Sequence, residues 1–101
     1  PKGWHIPSEK EIKQLLEYLG DANEAYKSLI VDGESGFEAL YSGWRRGPGV
    51  FADEDYFCAF WTTTENGNYG AWSLDIDKGN RNALIGYSRK EFGLAVRCVK
   101  D

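Results

Sequence analysis

The sequence changes character about a third of the way along the chain, at Asp32 and Gly33, and this change constrains the fold most strongly. Before it, apolar residues recur at the spacing of one helix face. After it, glycine, asparagine and aspartate separate short stretches that are rich in aromatic and β-branched residues, as in small antiparallel sheets. Helices followed by strands indicate an α+β domain, with two N-terminal helices packed on a small twisted sheet.

Two helices are predicted before the change. Ser8 followed by Glu11 is a capping box that begins the first helix, and Gly20 ends it. The second helix follows directly, with Asp21 or Asn23 as its N-cap. The predicted inward faces are Ile12, Leu15, Leu16 and Leu19 in the first helix and Ala22, Ala25, Tyr26 and Leu29 in the second.

Five strands are predicted in the rest of the chain. Their turns at 65–68 and 77–80 contain residues that tolerate positive φ, so the second half reads as consecutive hairpins. The predicted strands are 37–41, 57–64, 70–75, 82–87 and 94–99. Alternation in the third of these and the residues after it places Trp72, Leu74 and Ile76 inward and Ser73, Asp75 and Asp77 outward.

Length and charge exclude several classes of protein. The 101 residues form one small domain spanning 1–101, and no apolar run approaches the roughly 20 residues that cross a bilayer. Twelve basic and sixteen acidic residues give a net charge of −4, and the basic residues are scattered, which argues against nucleic acid as a partner. The chain lacks an initiator Met and starts within a motif, so we expect a domain that is excised or processed from a larger protein. We also expect this domain to be monomeric.

Catalysis is not expected from the nucleophiles and bases present. His5 is the one histidine, and it lies just before a helix cap. This position favours a structural role, in which the packed and hydrogen-bonded ring fixes the direction in which the chain enters the helix. Cys58 and Cys98 lack the spacing of a zinc or redox motif. Each is better interpreted as a small buried hydrophobic residue or as half of a disulfide, and we favour no bond between the two. We therefore predict no enzyme activity and no cofactor.

Two clusters of acidic residues are further candidates for a functional site. Asp75 and Asp77 would project from one strand face, where carboxylates can bind calcium or hydrolyse glycosides. The run 75–80 lacks the glycine position and the terminal glutamate of a calcium loop, so a solvated strand face is favoured and no metal site is predicted. Residues 53–55 form a second acidic cluster, interpreted as a solvated loop.

The later hairpins present the best candidate for recognition. Tyrosine and asparagine supply flat contact area and adaptable hydrogen bonds, although asparagine also serves ordinary turns. The predicted ligand-binding residues are Tyr56, Asn68, Tyr69, Asn80, Arg81, Asn82 and Tyr87, together with the neighbouring Asn66.

Five short motifs, in order, resemble a known bacterial family. They are PKGWHIP at 1–7, SGFEAL at 35–40, GWR at 43–45, FWTTTE at 60–65 and LAVRCVKD at 94–101. This order is similar to that of the Fibrobacter succinogenes major paralogous domain, a module of bacterial surface proteins. The resemblance implies a C-type-lectin-like fold related to that of the formylglycine-generating enzyme, with long loops and adjacent chain ends. It also implies an extracellular or cell-surface location, as in a lipoprotein.

The resemblance also assigns roles to particular residues. In many members a cysteine precedes the first motif and would be the natural partner of Cys98. Arg97 and Glu65 occupy characteristic positions, where a structural pairing of charges is favoured over ligand contact. Trp4, Trp61 and Trp72 are expected in the core. The preferred function is non-enzymatic adhesion to a glycan or surface protein, the alternative is a structural capping or display domain, and an oxidative or hydrolytic enzyme ranks last.

Overall fold

A computed structural model of the protein describes residues 2–101; Pro1, which opens the first motif, lies outside the described residues. The chain is α+β, as predicted, with two helices and small antiparallel sheets. The elements in order are β1 Trp4–His5, α1 Glu9–Leu19, α2 Ala22–Leu29, β2 Trp44–Gly47, β3 Val50–Ala52, β4 Phe57–Asn66, β5 Gly70–Asp77, β6 Asn82–Arg89 and β7 Val99–Lys100.

Both helices begin with a reciprocal capping box. In α1 the backbone N–H of Glu11 donates to Ser8 Oγ at 3.2 Å, and the N–H of Ser8 donates back to Glu11 Oε1 at 3.1 Å. Asp21 and Glu24 make the same exchange at the start of α2. The first box is confirmed, and of the two caps considered for α2 the structure selects Asp21. Gly20 separates the helices with a φ of 111°.

The core lies between the helices and a three-stranded antiparallel sheet with the order β4-β5-β6. Leu29 of α2 is fully buried, and so are Leu74 and Ile76 of β5. Ile12 is the buried residue of α1. Leu15, Leu16 and Leu19 pack against the same core and remain partly exposed. The predicted hairpins β4–β5 and β5–β6 are confirmed, and a register shift interrupts the first between Trp61 and Glu65.

Irregular segments cover the outer edge of β4. The N–H of Gly43 donates to the carbonyl of Phe57, and Ala95 exchanges two backbone hydrogen bonds with Ala59 and Trp61. Thr63 donates to the carbonyl of Pro7. Three separate stretches of chain therefore provide hydrogen-bond partners for backbone groups on this edge of the sheet. Strand β6 forms the opposite edge.

The two chain ends are adjacent, as expected. Trp4 pairs with Lys100 and His5 with Val99 in the short β1–β7 ladder. A further hairpin, β2–β3, pairs Trp44 with Ala52 and was not predicted. No helix among residues 2–101 is long and apolar enough to cross a membrane.

Two predicted strands are wrong. Residues 37–41 form a loop with one isolated parallel bridge, between Ala39 and Ile30, because Glu38 has a φ of 53° that breaks an extended run. Residues 94–99 make one parallel bridge, between Ala95 and Phe60, and become a strand only at Val99. Residues 37–41 and 94–98 therefore each pair with another segment through one isolated bridge rather than through a ladder.

The predicted faces of β5 and the tryptophans also need correction. Ser73 is completely buried rather than exposed, and Asp75 is half-buried. Ala59, directly opposite Asp75 on β4, is buried as well, so the centre of the sheet is covered on both faces. The sequence pattern assumed one covered face. Trp4 is 49% exposed instead of lying in the core, while Trp61 and Trp72 are half-buried.

Candidate functional site

The structure divides the predicted recognition residues between the two ends of the sheet. Tyr56 and the β5–β6 turn, with Asn80, Arg81 and Asn82, lie at one end. Asn68 and Tyr69 lie in the β4–β5 turn at the other end, roughly 23 Å away along the eight residues of β5. Tyr87 is on β6, where its ring meets Trp72 edge to face with centroids 5.9 Å apart. The three predicted tyrosines are all exposed, and they do not form one surface.

The side chain of Asn80 is engaged in the β5–β6 turn itself. Asn80 donates from its backbone N–H and from Nδ2 to the two carboxylate oxygens of Asp77, at 3.2 and 3.0 Å. The carbonyl of Arg81 accepts a hydrogen bond from Asn23 Nδ2 of α2. Turn chemistry therefore accounts for these polar groups and for the carboxylate of Asp77.

A shallow groove of about 550 Å³ opens beside this turn. We call it the Lys78 groove. Its floor and walls combine aliphatic, aromatic and charged side chains, with Leu40 68% exposed. The lining residues are Val31, Ala39, Leu40, Tyr41, Ser42, Asp55 and Lys78.

Lys78 is held between two tyrosine rings. Its Nζ lies 5.9 Å from the ring centroid of Tyr41 and 5.7 Å from that of Tyr56, both within the range of cation–π attraction. The backbone N–H of Lys78 donates to the carbonyl of Tyr56 at 2.9 Å, and the N–H of Asp55 donates to the carbonyl of Tyr41 at 2.9 Å. These bonds bring loops that are distant in sequence to one place.

The groove carries one positive and one negative side chain, Lys78 and Asp55. Within residues 2–101 the ammonium group of Lys78 forms no ion pair, although Asp55 lines the same groove. Tyr41 donates its hydroxyl proton to Tyr26 Oη at 2.8 Å, and burial, followed by this hydrogen bond, raises the pKa of Tyr41 above the ordinary tyrosine range. The groove therefore offers a free cation, a carboxylate and a neutral phenol.

Backbone strain concentrates around the Lys78 groove. In the described part of the chain, every non-glycine residue with positive φ lies within three positions of a residue that lines it; these are Asp32, Glu38, Asp53, Asp55 and Arg81. Strained backbone conformations cluster at ligand sites because the surrounding structure must hold them. The loops here are thus fixed in shapes that an unconstrained chain would rarely adopt.

Both ring nitrogens of His5 are engaged by carboxylates. Nδ1 of His5 lies 2.7 Å from Asp101 Oδ1, and Nε2 lies 2.9 Å from Glu11 Oε2. The hydrogen bond with Glu11, followed by that with Asp101, raises the pKa of His5. The ring links the chain end to the start of α1, which agrees with a structural role.

The two cysteines are free thiols and lie in different surroundings. Cys58 is fully buried in the core, and burial, followed by the nearby Asp75, raises the pKa of its thiol to about 12. Cys98 is half-buried at the edge of a groove that also includes Trp4. A thiol with so high a pKa carries almost no thiolate at neutral pH, so Cys58 is a poor nucleophile.

Asp75 is the carboxyl group with the largest upward pKa shift in residues 2–101. Burial raises the pKa of Asp75 to about 6, against the opposing effect of a 2.7 Å hydrogen bond donated by Ser73 Oγ. Asp75 and Asp77 do not form an exposed pair, contrary to expectation. No group of three histidine, cysteine or acidic side chains is arranged to hold a metal within the described chain.

Arg97 and Glu65 both make structural contacts, as expected, but with different partners rather than with each other. Arg97 lies over the ring of Phe37, with Cζ 4.3 Å from the ring centroid, and donates to the Phe37 carbonyl. Glu65 accepts a 2.8 Å hydrogen bond from Lys90 Nζ, which lowers the pKa of Glu65. Both contacts hold loops, at separate places.

Tyr41 and Lys78 are not identified as site residues by the sequence. The pattern places Tyr41 in a strand that the structure does not contain, and it places Lys78 in a turn without indicating the tyrosine rings beside it. One signal is available in the sequence, because Asp53 and Asp55 both lie within the three residues before Tyr56 and aspartate tolerates positive φ. That signal marks a shaped loop beside an exposed tyrosine, but it does not reveal what the loop faces.

Comparison with known proteins gives one match. The family model described as Fibrobacter succinogenes major domain matches residues 1–100, nearly the whole chain. No curated protein matches. No solved structure matches either.

Proposed function

Because the chain belongs to the Fibrobacter succinogenes major domain family, we propose that it is a non-enzymatic recognition module of a bacterial surface protein and that its Lys78 groove binds a glycan. We also propose a C-type-lectin-like arrangement and an extracellular location, which rest on the family resemblance. The observation that carries the binding proposal is the Lys78 ammonium group, held between two tyrosine rings without a carboxylate partner in residues 2–101.

The groove has the chemistry that sugar rings require. Tyr56 lies beside the groove, next to Lys78, and its side chain is 63% exposed, so the apolar face of a pyranose in the groove can pack against its ring. Asp55 and Ser42 supply acceptors and a donor for sugar hydroxyls. The unpaired ammonium of Lys78 favours a glycan that carries a carboxylate or sulfate group. Binding sites of this kind combine apolar surface with a few placed polar groups.

Fixed loops support the same proposal. The strained residues around the groove have already lost their conformational freedom on folding, so a ligand need not order them. The buried Cys58 and the doubly hydrogen-bonded His5 support a non-enzymatic role, because neither is disposed as a nucleophile or base at this groove.

The alternative of a structural display domain has one observation in its favour. The side chain of Asn80 and the carbonyl of Arg81, both in the β5–β6 turn, are occupied by hydrogen bonds within the protein. Polar groups that are already hydrogen-bonded within the protein need no ligand to satisfy them. Under this alternative the exposed tyrosines would serve no binding purpose.

A glycan array separates the two possibilities. We expect wild-type protein to retain acidic glycans over neutral ones of the same size. Tyr56→Ala should weaken binding at least fivefold, the loss equivalent to about 1 kcal/mol, and Lys78→Gln should abolish the preference for acidic glycans. Tyr69→Ala, at the far end of the sheet, is the matched control and should bind as wild type does.

Two results would refute the glycan proposal. One is an array on which wild-type protein retains nothing, which would favour the display role. The other is a bound glycan whose affinity falls with Tyr69→Ala and is unchanged by Tyr56→Ala and Lys78→Gln. The thermal midpoint of each variant should stay within a few degrees of wild type, since all three side chains are largely exposed.

A further inference from the structure

The two edges of the three-stranded sheet are treated differently by the fold. The edge of β4 is covered by backbone hydrogen bonds from three segments, as described above. Strand β6 pairs with β5 on one side, and no other strand or bridge pairs with its outer side within residues 2–101. Every second residue of an edge strand directs its N–H and C=O outward, so β6 presents a row of free backbone groups.

Strand β6 also lacks the features that usually protect an edge. Its eight residues pair with β5 in continuous register from Asn82 to Arg89 without a bulge. Residues 83–88 contain no charged side chain and no proline. Natural proteins commonly use lysine, proline or bulges to keep such edges from pairing with other chains. The edge is therefore regular and uncharged from Ala83 to Ser88, with Arg89 at its end, and this stretch is available to another strand.

A groove of about 200 Å³ follows this edge. Ala83, Leu84 and Ile85 all contribute to its lining. Since consecutive side chains of a strand point to opposite faces, a groove that touches all three lies along the edge rather than on one face. Its opposite wall consists of the end of α1 and the start of α2, including Ala22 and Ala25.

The helix side of this groove is acidic. Glu17 and Asp21 line it, and neither forms an ion pair in the part of the chain that the structure describes. Asp21 uses Oδ1 to cap α2 through the N–H of Glu24. A second copy of this chain, which carries a net charge of −4, would bring its own Glu17 and Asp21 against these carboxylates. Charge therefore favours a basic partner over self-association.

We propose that β6 is a strand-addition site that receives an extended, basic segment of another polypeptide. The backbone of the segment pairs with the free edge of β6. Alternate side chains lie over the helices, where basic groups meet Glu17 and Asp21, and the others lie beside Leu84, which is 47% exposed. This site is separate from the Lys78 groove and does not depend on glycan binding.

The probe is a synthetic seven-residue peptide that alternates lysine with valine and is blocked at both ends. Hydrogen exchange followed by NMR should show that the peptide slows exchange at least tenfold at alternate amides between Ala83 and Ser88. Two further peptides carry N-methyl groups on one or the other alternate set of amides. One of them should bind like the parent and the other should not, because only one set faces β6.

Variants test the edge and its charge separately. Leu84→Lys should weaken peptide binding at least fivefold, while Leu40→Lys, which changes an exposed leucine far from this edge, should not. Glu17→Lys should weaken binding more than Glu54→Lys, which alters the net charge equally from an exposed loop. Thermal unfolding of each variant checks that the fold is retained.

Three outcomes would overturn the proposal. The first is an absence of slowed exchange in β6 at saturating peptide. The second is equal behaviour of the two N-methylated peptides. The third is a concentration-dependent dimer, measured by sedimentation equilibrium without peptide, that Leu84→Lys dissociates; a second copy would then be the occupant of the edge.

Discussion

His5 and Asp101, 96 positions apart in the chain, are joined by a 2.7 Å hydrogen bond between Nδ1 and Oδ1. The other ring nitrogen faces Glu11, whose carboxylate also accepts the N–H of Ser8 in the capping box. One imidazole thus connects the chain end with the first turn of α1. The contact is exposed, so its effect on stability depends on protonation and salt.

The His5 contacts predict a loss of stability as pH rises. The pKa of His5 is raised in the folded protein, chiefly by Glu11, so the folded state binds a proton more tightly than the unfolded chain. The stability that the protonated His5 adds to the folded state is fully present below about pH 6.5, the ordinary histidine pKa. It is lost as the pH rises through the folded-state pKa. The thermal midpoint of wild type should therefore fall more between about pH 6 and about pH 9 than that of His5→Gln.

Asp101→Asn is the companion variant, because it removes one of the two carboxylates and leaves the capping box intact. Its pH dependence should lie between those of wild type and His5→Gln. Identical pH dependence in all three proteins would show that the ring is not coupled to folding. Raising the salt concentration should also reduce the difference among them.

Asp75→Asn should stabilise the protein at neutral pH. Burial raises the pKa of Asp75 to about 6 from an ordinary value of 3.8. The folded state consequently holds a proton that the unfolded chain has released, and stability falls as pH rises between these values, by up to about 3 kcal/mol. Asparagine remains neutral and still accepts the hydrogen bond from Ser73.

Urea unfolding at about pH 4 and about pH 7.5 measures this effect. We expect Asp75→Asn to exceed wild type in unfolding free energy only at the higher pH. Glu34→Gln, at an exposed position, is the control and should match wild type at both. A variant that is less stable than wild type at the higher pH would mean that the ionised carboxylate is stabilising.

Leu29→Ala should be severely destabilising. Leu29 is completely buried between α2 and the sheet, and truncation of such a residue usually costs about 2 to 5 kcal/mol. Leu16 is partly exposed, so Leu16→Ala should cost less. Leu40→Ala, on the surface, should change the unfolding free energy by less than about 0.5 kcal/mol. Equal losses at Leu29 and Leu40 in urea titrations would contradict the described core.

The cysteines should differ in reactivity. Burial that raises the pKa of Cys58 also blocks access to it, so a maleimide should label Cys98 first in the native protein. Intact mass should show two labels after unfolding without reductant. An unlabelled denatured protein would reveal a disulfide between Cys58 and Cys98, and faster labelling of Cys58 would place it outside the core.

Features governed by neighbours in sequence could be predicted from the sequence. Ser8 with Glu11 specifies a helix start through contacts three residues apart, and the asparagine and glycine turns specify the β4–β5 and β5–β6 hairpins. Residues 37–41 and 94–99 have the composition of strands. Residues 37–41 form no ladder because Glu38 has a positive φ, and residues 94–98 pair with β4 only at Ala95.

The candidate site was predictable only in part. Exposed Tyr56 and the turn after β5 can be identified from residue type. Lys78 becomes a candidate only because the fold places it beside Tyr41, a residue of an irregular loop. The predicted set also assumed one surface, although β5 holds the two turns at opposite ends of the sheet. Which turns share a surface is decided by strand length and register, which residue type does not specify.

The pairing of β1 with β7 has a mechanical consequence. Trp4 and Lys100 are opposite each other at the same end of an antiparallel ladder, so a force that separates the two ends of the chain acts on one residue pair at a time. Such a peeling geometry resists tension weakly, in contrast to a ladder loaded in shear. Under load the ladder and the His5 contacts would release first, while the helices and the three-stranded sheet stay folded. The protein would then lengthen by a few residues before its core bears any force.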